Sequence, residues 1–414
     1  MKILWVKPGK ILPLDSGGKL RTYNILRHLS ANHDVTYLSY YGGKSKDPAY
    51  ERQIVSVLPG AIPVFTDIPE PTGFDRVLDY LRELPKSAPY AVSRFASGDV
   101  RRILEEWISQ PKFDVAVCDF LASAPNFPRN LAMPCVLFQH NVESVLWRRR
   151  AQFESKFLDR MIAKIEYARM VRYEAQQVRR FHQIFAVSER DREVMSTMVE
   201  RSRVSVLPTG VDLAKYCYDP QLRPAGPLVI FTGSMDWEPN IDGVEYFCRQ
   251  AWPRVLTSVP GARFRIVGRD PRPRVKKLAS PSIEVTGSVD SIIDHLRDAA
   301  VVVVPLRIGS GTRLKIYEAM AMGKAVVSTG IGAEGLDVHD GKDILLADRP
   351  KPFADAVVTL LRDEVERRRY ELAAAATARQ HDWSVIAERF ANEMEQVCRS
   401  VSSQGDPLPV VAVA

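Results

Sequence analysis

Residues Val301 to Leu336 read VVVVPLRIGSGTRLKIYEAMAMGKAVVSTGIGAEGL. The uninterrupted apolar run 300–305 has strand length and no alternation, the pattern of a parallel strand covered on both faces. Gly309 and Gly311 then bracket a turn, and Thr312 is placed to cap a helix over about 313–322. In that helix Ile316, Tyr317, Ala319, Met320, Ala321 and Met322 surround a single acid, Glu318. A helix apolar all round is a buried one, and a buried carboxylate needs partners. A glycine-rich turn that opens a helix is a natural anion site, because free backbone N–H groups and the helix dipole point outward together. Arg313 and Lys315 add two cations at the same end. The stretch therefore reads as a phosphate-binding turn with Glu318 taking hydroxyls nearby. The alternative is a plain surface pair, since Lys315 and Glu318 are three residues apart on one helix.

At 414 residues the chain exceeds what one hydrophobic core usually supports, so about two domains are expected. The apolar patch in MKILWVKPG is too short for a signal-peptide core, and no run reaches the roughly 18 apolar residues of a membrane span. The five cysteines are scattered without CxxC spacing, which argues against a disulfide framework and a structural zinc site. The expected location is the cytoplasm. The net charge of +7 is uneven: residues 146–182 hold ten Lys/Arg against four acids. Phe157, Met161, Ile165, Ala168, Val171 and Ala175 recur there at helical spacing, so the segment is expected to be one basic amphipathic helix. Its basic side is either an ordinary solvated face or one drawn to the inner face of an anionic membrane or to an acidic acceptor. Nucleic acid is disfavoured, since aromatic interleaving and a binding motif are missing.

Along the chain, short apolar strands alternate with helices. Strands are expected at 3–6, 35–40, 115–118, 135–139, 183–187 and 204–207, with 42–71 irregular apart from a short strand at 64–65. After Pro208-Thr209-Gly210-Val211-Asp212 the stretch 219–227 is Pro-rich and reads as a linker. The pattern restarts with strands at 228–232, 263–267, 283–286, 301–305, 325–328 and 344–347. A last amphipathic helix is expected over 383–399. Two doubly wound parallel sheets follow from this alternation. The expected division is 1–212, a linker at 213–227, a second domain at 228–381, a helix at 382–400 packing back on the first domain, and a disordered tail at 401–414. Ligands of such sheets bind outside the strand carboxyl ends. Gly17-Gly18, His140, Gly233, Gly268 and the 309–318 block all fall there, which predicts one site in a cleft where two such edges face each other.

Several pieces then look familiar together: Ser16-Gly17-Gly18, Gln139-His140-Asn141, Val206-Leu-Pro-Thr-Gly-Val-Asp212, Phe231-Thr-Gly-Ser, Ile266-Val-Gly-Arg269, Val285-Thr-Gly-Ser-Val289 and the 309–323 block ending Glu-Ala-Met-Ala-Met-Gly. In order and spacing the chain resembles, over about residues 1–400, the retaining nucleotide-sugar-dependent glycosyltransferases of family 4, with the two-Rossmann GT-B fold. The resemblance implies that Glu318 is the second acid of the family's E-x7-E motif and clamps the donor ribose. It implies that Arg313 and Lys315, with the backbone of Gly309, Ser310, Gly311 and Thr312, hold the diphosphate. His140 would lie beside the donor sugar, Gly17 and Gly18 would let backbone approach the ligands, and Gly233, Arg269, Ser288 and Val289 would complete the donor site. Two departures stand out. The first acid of E-x7-E falls at Ser310, and the Arg…Lys pair usual after the first donor-domain strand is missing from Gly233-Ser234-Met235-Asp236-Trp237-Glu238-Pro239-Asn240. Arg313 and Lys315 are expected to replace that pair.

The expected function is transfer of a hexose from a nucleotide diphosphate sugar to a glycan, lipid-linked or small-molecule acceptor. Retention is expected, without a metal or other cofactor. The alternatives are a sugar-nucleotide epimerase on the same fold and a nucleotide-sugar-binding subunit without catalysis. A dehydrogenase is disfavoured, since neither domain carries GxGxxG after its first strand.

Overall fold

The structure, a computed structural model, describes residues 1–66, 68, 73–85, 87–154, 157–224, 226–308 and 313–404. The chain divides into two compact units. One holds Met1–Pro208 and takes up the chain again from Ile386; the other is Thr209–Val385.

The first unit is built on seven parallel strands: β1 (Lys2–Pro8), β2 (Asp34–Tyr41), β3 (Ala61–Phe65), β4 (Val115–Asp119), β5 (Cys135–Phe138), β6 (Gln183–Ala186) and β7 (Val204–Val206). Their order is β3-β2-β1-β4-β5-β6-β7, so the direction of winding reverses between β1 and β4. Because neighbours alternate across a strand, Leu4 and Val6 enter one core with Leu38, Ala116, Cys118 and Leu137. Trp5 points the other way, onto Phe138 and Phe390. Phe390 belongs to the last helix, Trp383–Gln404, and also packs on Phe185.

The second unit repeats the plan with six parallel strands: β8 (Leu228–Thr232), β9 (Arg263–Val267), β10 (Ile283–Gly287), β11 (Val301–Val304), β12 (Ala325–Ser328) and β13 (Leu345–Leu346), ordered β10-β9-β8-β11-β12-β13. Val301 to Val304 are at most 1% exposed, as a strand covered on both faces requires.

Several expectations need correction. The stretch 42–71 is not mainly irregular: a helix runs Pro48–Val57, capped by Asp47 accepting from the Tyr50 N–H, and β3 follows it. Only Tyr50 and Ile54 of that helix are buried, so its apolar periodicity is weak. The basic segment is two helices, Glu143–Phe153 and Phe157–Arg180. The helix expected to open at 313 is Leu314–Ala321, with Arg313 at its cap position. The final helix continues through 401–404, where a disordered tail was expected; the rest of that tail, 405–414, lies outside the described residues. Among the described residues no helix is long and apolar enough to cross a membrane.

The apolar row of Phe157–Arg180 faces solvent. Phe157 is 66% and Leu158 74% exposed, and Met161, Ile162 and Ile165 follow them on the same side. The buried side instead carries Ala163, Glu166, Met170, Tyr173, Glu174 and Gln177. Its two acids are held by specific bonds. Glu166 accepts from the Tyr90 N–H at 2.8 Å and from Arg169 at 2.9 Å. Glu174 accepts from the N–H groups of Glu143 and Ser144 at 2.8 and 3.1 Å, closing the start of the neighbouring helix, and from the Gln139 amide at 3.2 Å.

Candidate functional site

In the second unit the carboxyl end of β8 runs into Gly233. Lys315, second residue of the helix Leu314–Ala321, brings its ammonium there. Nζ donates to Asn240 Oδ1 at 3.1 Å and lies 4.2 Å from the centre of the Phe231 ring, a cation–π distance. A Cβ at Gly233 would stand 2.6 Å from Nζ and 2.8 Å from Asn240 Nδ2, so this cage closes only around glycine. Asn240 is itself oriented by donating to the Ser234 carbonyl at 2.9 Å. Burial pulls the Lys315 pKa down to about 7, with Arg313 adding to the fall and Glu318 opposing it. The ammonium is thus delivered from the turn–helix block to the loop after β8, where the sequence itself has no cation.

Glu318 lies one turn on. It accepts a hydrogen bond from the Tyr216 hydroxyl to Oε1 at 3.0 Å. Burial raises its pKa, opposed by the Tyr216 bond and by Lys215 and Lys315. Lys315 and Glu318 do not form the surface pair offered as the alternative: one turns to Asn240 and the other to Tyr216. Arg313 occupies the position just before the helix Leu314–Ala321, without a side-chain capping bond. Arg269 follows β9, is largely exposed and donates to Ser234 Oγ at 2.9 Å. Ser288 is exposed and Val289 half-buried just past β10. Gly309, Ser310, Gly311 and Thr312 lie outside the described residues.

The first unit carries its own buried polar cluster at the carboxyl ends of β1 and β4. Val6 pairs with Cys118 in register, so the next residues along, Lys7 and Asp119, come side by side. Asp119, fully buried, accepts from Thr22 Oγ1 at 2.6 Å, His140 Nε2 at 2.7 Å and Trp5 Nε1 at 2.9 Å, with Lys7 Nζ at 3.8 Å. Arg21 donates to His140 Nδ1 at 3.1 Å, so Nε2 carries the ring proton. Burial opposes ionisation of Asp119, yet Lys7 and His140 outweigh it and hold the pKa at about 2. Burial lowers the pKa of His140 to about 4 against the pull of Asp119, so the imidazole is neutral near pH 7. Its ring stacks on Phe120 at 3.8 Å and 6°. Phe120 sits at φ +68°, a conformation that costs a non-glycine residue about 1–3 kcal/mol. That stack and the Lys7 ammonium, 3.8 Å from the same ring, help to hold it. Gly17 opens the helix Gly17–Leu29. A Cβ on Gly18 would meet the Phe120 ring at 2.7 Å, so the glycine serves this packing directly. Both ring nitrogens of His140, expected beside a donor sugar, are engaged inside this cluster.

Asp119 is marked in the sequence as the polar residue just past its strand and Asn240 only as the end of the cation-free stretch, whereas Tyr216, Lys7, Arg21 and Thr22 were not singled out. Tyr216 follows the quoted Thr-Gly-Val-Asp by four residues, and Lys7 and Asp119 close two strands, so strand-end position was the available signal. Among the described residues no three His, Cys, Asp or Glu side chains converge as metal ligands.

Two family models match: Glycosyltransferase Family 4 over residues 16–215 and Glycosyl transferases group 1 over residues 226–363. Phosphatidyl-myo-inositol mannosyltransferase of Mycobacterium leprae is 32% identical over 206 residues, 47% of this chain and 54% of that protein. The Mycolicibacterium smegmatis protein of the same name is 28% identical over 201 residues, 46% of this chain and 51% of that one. The chain thus spans about half the length of these curated relatives. Among solved structures, sucrose-phosphate synthase of Thermosynechococcus elongatus matches with a TM-score of 0.67 at 15% identity, covering 97% of this chain and 100% of that one. Anabaena HepE, solved with UDP and glucose, matches with a TM-score of 0.61 at 14% identity over 96% and 100%. At such identities the shared feature is the fold.

Proposed function

The chain belongs to the family 4 glycosyltransferases, and on that premise we propose that it transfers a hexose from a nucleotide diphosphate sugar to an acceptor with retention. The observation that carries the reading is the caged Lys315 ammonium at the β8 edge, one helical turn from Glu318. Lys315 and Arg313 would meet the diphosphate, whose β-phosphate gains charge as the sugar leaves. Preorganised cations at that point lower the barrier. Glu318, steadied by Tyr216 on one oxygen, keeps lone pairs for the ribose hydroxyls. Acceptor attack would come on the face the diphosphate leaves, without a protein nucleophile. Because two protein cations face the leaving group, the reading assigns no metal, and turnover is expected to survive chelation by EDTA.

The named relatives act on a phosphatidylinositol, and a lipid-borne acceptor is the form we favour. In support, the helix Phe157–Arg180 turns two of its three acids, Glu166 and Glu174, inward and leaves Phe157, Leu158, Met161, Ile162 and Ile165 outward, with Asp159 half-buried in its first turn. That face would rest on an anionic membrane surface. The test of the donor reading is a thermal-shift panel of nucleotide sugars. A ligand at a hundred times its Kd stabilises by about 2.7 kcal/mol, and no shift with any member would overturn the reading. Donor incubated alone separates transfer from epimerisation, and an acceptor panel separates transfer from binding without turnover.

A further inference from the structure

A concave feature of the first unit is untouched by that assignment. Beyond the ends of β1 and β2 lies an open pocket of 830 Å³, bounded by the Gly9–Lys10 turn, the Gly42–Asp47 loop and the starts of the helices Gly17–Leu29 and Pro48–Val57. Its wall carries Lys10, Lys19, Lys44, Lys46 and Arg52 against one acid, Asp47. Three of these cations are already compensated: Lys10 by Asp47 at 2.7 Å, Lys19 by Asp15 at 3.0 Å and Lys46 by Glu51 at 3.4 Å. Among the described residues Lys44 and Arg52 have no acidic partner, so the pocket keeps two uncancelled positive charges.

The position is chemically meaningful. Ligands of doubly wound sheets bind outside strand carboxyl ends near the point where winding reverses, and β1 borders that point. The loop is also held in shape. Asp47 caps the following helix through the Tyr50 N–H, the Tyr41 hydroxyl donates to Glu51 at 2.8 Å, and the Asp47 N–H donates to that hydroxyl at 3.0 Å. A Cβ on Gly42 would lie 2.2 Å from the Ile68 carbonyl, so the chain leaves β2 along a path only glycine allows. The cations therefore sit on a braced loop.

We propose that this pocket binds the phosphate monoester of the acceptor, with Lys44 and Arg52 as its charge partners. Two uncancelled cations match the charge of a phosphate monoester, about −1.5 to −2 near pH 7, better than the single charge of a carboxylate. The inference rests on the transferase reading for the word acceptor, and on the pocket alone for the anion. The phosphate could be carried by a lipid headgroup or by a soluble sugar or polyol phosphate; the recognition chemistry is the same.

The experiment titrates glycerol phosphate into the full chain and into the variant Lys44→Glu/Arg52→Glu, with glycerol as the uncharged control. Both positions are exposed, so the variant should keep the melting temperature of the parent. The expected result is at least about tenfold weaker phosphate binding in the variant and a salt-dependent loss of binding in the parent, with nucleotide affinity the same in both. The lipid arm compares sedimentation with phosphatidylcholine vesicles with and without phosphatidic acid. Variant-sensitive binding to the phosphatidic acid vesicles assigns the phosphate to a lipid, and sensitivity to glycerol phosphate alone assigns it to a soluble acceptor. Equal phosphate affinity in parent and variant, or none in the parent, overturns the proposal and leaves the donor reading intact. A nucleotide panel without a single shift, beside phosphate binding lost in the variant, would instead remove the donor reading and keep the anion pocket.

Discussion

Lys315 is held in a setting that opposes its charge, and that makes it testable by pH. Its pKa of about 7 in the folded chain lies far below that of an exposed lysine. Between the two values the unfolded chain binds a proton that the native chain does not, so stability rises with pH over that window and the cost of burying the charge is complete below pH 7. Replacing Lys315 by Met removes the cost. The expected gain in Tm is about 2–4 °C, the shift for roughly 1 kcal/mol in a unit of this size. It is largest at pH 6 and fades toward pH 10. The parent's nucleotide diphosphate binding should weaken as pH rises from 6 to 8 and Lys315 loses its charge, and the variant should lose both the binding and that pH dependence. Thermal shifts at pH 6, 7.5 and 9 check both; a variant less stable at pH 6 would refute the buried-charge account. Lys315 and Glu318 were legible because a turn, a helix start and an apolar surround mark them within a dozen residues. Their partners were not: Asn240 is 75 residues from Lys315, and Tyr216 is 102 from Glu318. No local period reports contacts of that range.

At the scale of elements, periodicity reads residues 146–182 as one helix where the structure has two, and it does not identify the inner face of the second, Phe157–Arg180. A 3.6-residue repeat reports that one stripe differs from the rest, and the usual inference sends the apolar stripe inward. Here the inner face is decided by Glu166 and Glu174, whose carboxylates satisfy backbone N–H groups that would otherwise be left unpaired. That trade leaves Phe157, Leu158 and Ile162 in solvent. Changing these three to Ser should therefore alter stability by only about 0.5 kcal/mol or less per site, the usual range for surface positions. Binding to anionic vesicles should fall more than tenfold, since each side chain withdrawn from lipid forfeits about 1.5–3 kcal/mol. Cosedimentation against a urea titration separates the two effects. A variant that unfolds early and still binds vesicles would mean that the stripe serves a partner inside the fold. The helix Pro48–Val57 was missed for the related reason that only two of its side chains are buried. Its cap, Asp47 before Pro48, was the readable sign.

For the molecule as a whole, the two parallel sheets were legible because buried parallel strands are apolar runs, as at Val301–Val304 and Val115–Cys118. Which unit the chain's end joins depends on packing. The helix Trp383–Gln404 follows the second unit in sequence, yet Phe390 is fully buried in the first, with ring centres 5.6 Å from Trp5, 5.3 Å from Phe138 and 4.4 Å from Phe185. Those three rings come from β1, β5 and β6, so Phe390 closes one face of the seven-stranded sheet on the same side as Asp119, to which Trp5 donates. Phe390→Ala should cost the first unit about 3–5 kcal/mol, the range for deleting a buried phenyl ring. The second unit's core holds none of these residues, so the loss should be local. Hydrogen exchange in the full-length chain resolves it: amides of β1, β5 and β6 should exchange faster, while those of β8, β11 and β12 keep their protection. Because the final helix also covers Trp5, the variant should loosen the Asp119–His140 cluster with the sheet that carries it, and His140 should then titrate closer to an exposed histidine. Equal acceleration in both units would show that the last helix stabilises the chain as one cooperative body, and that its sequence position after the second unit is part of how the first is held.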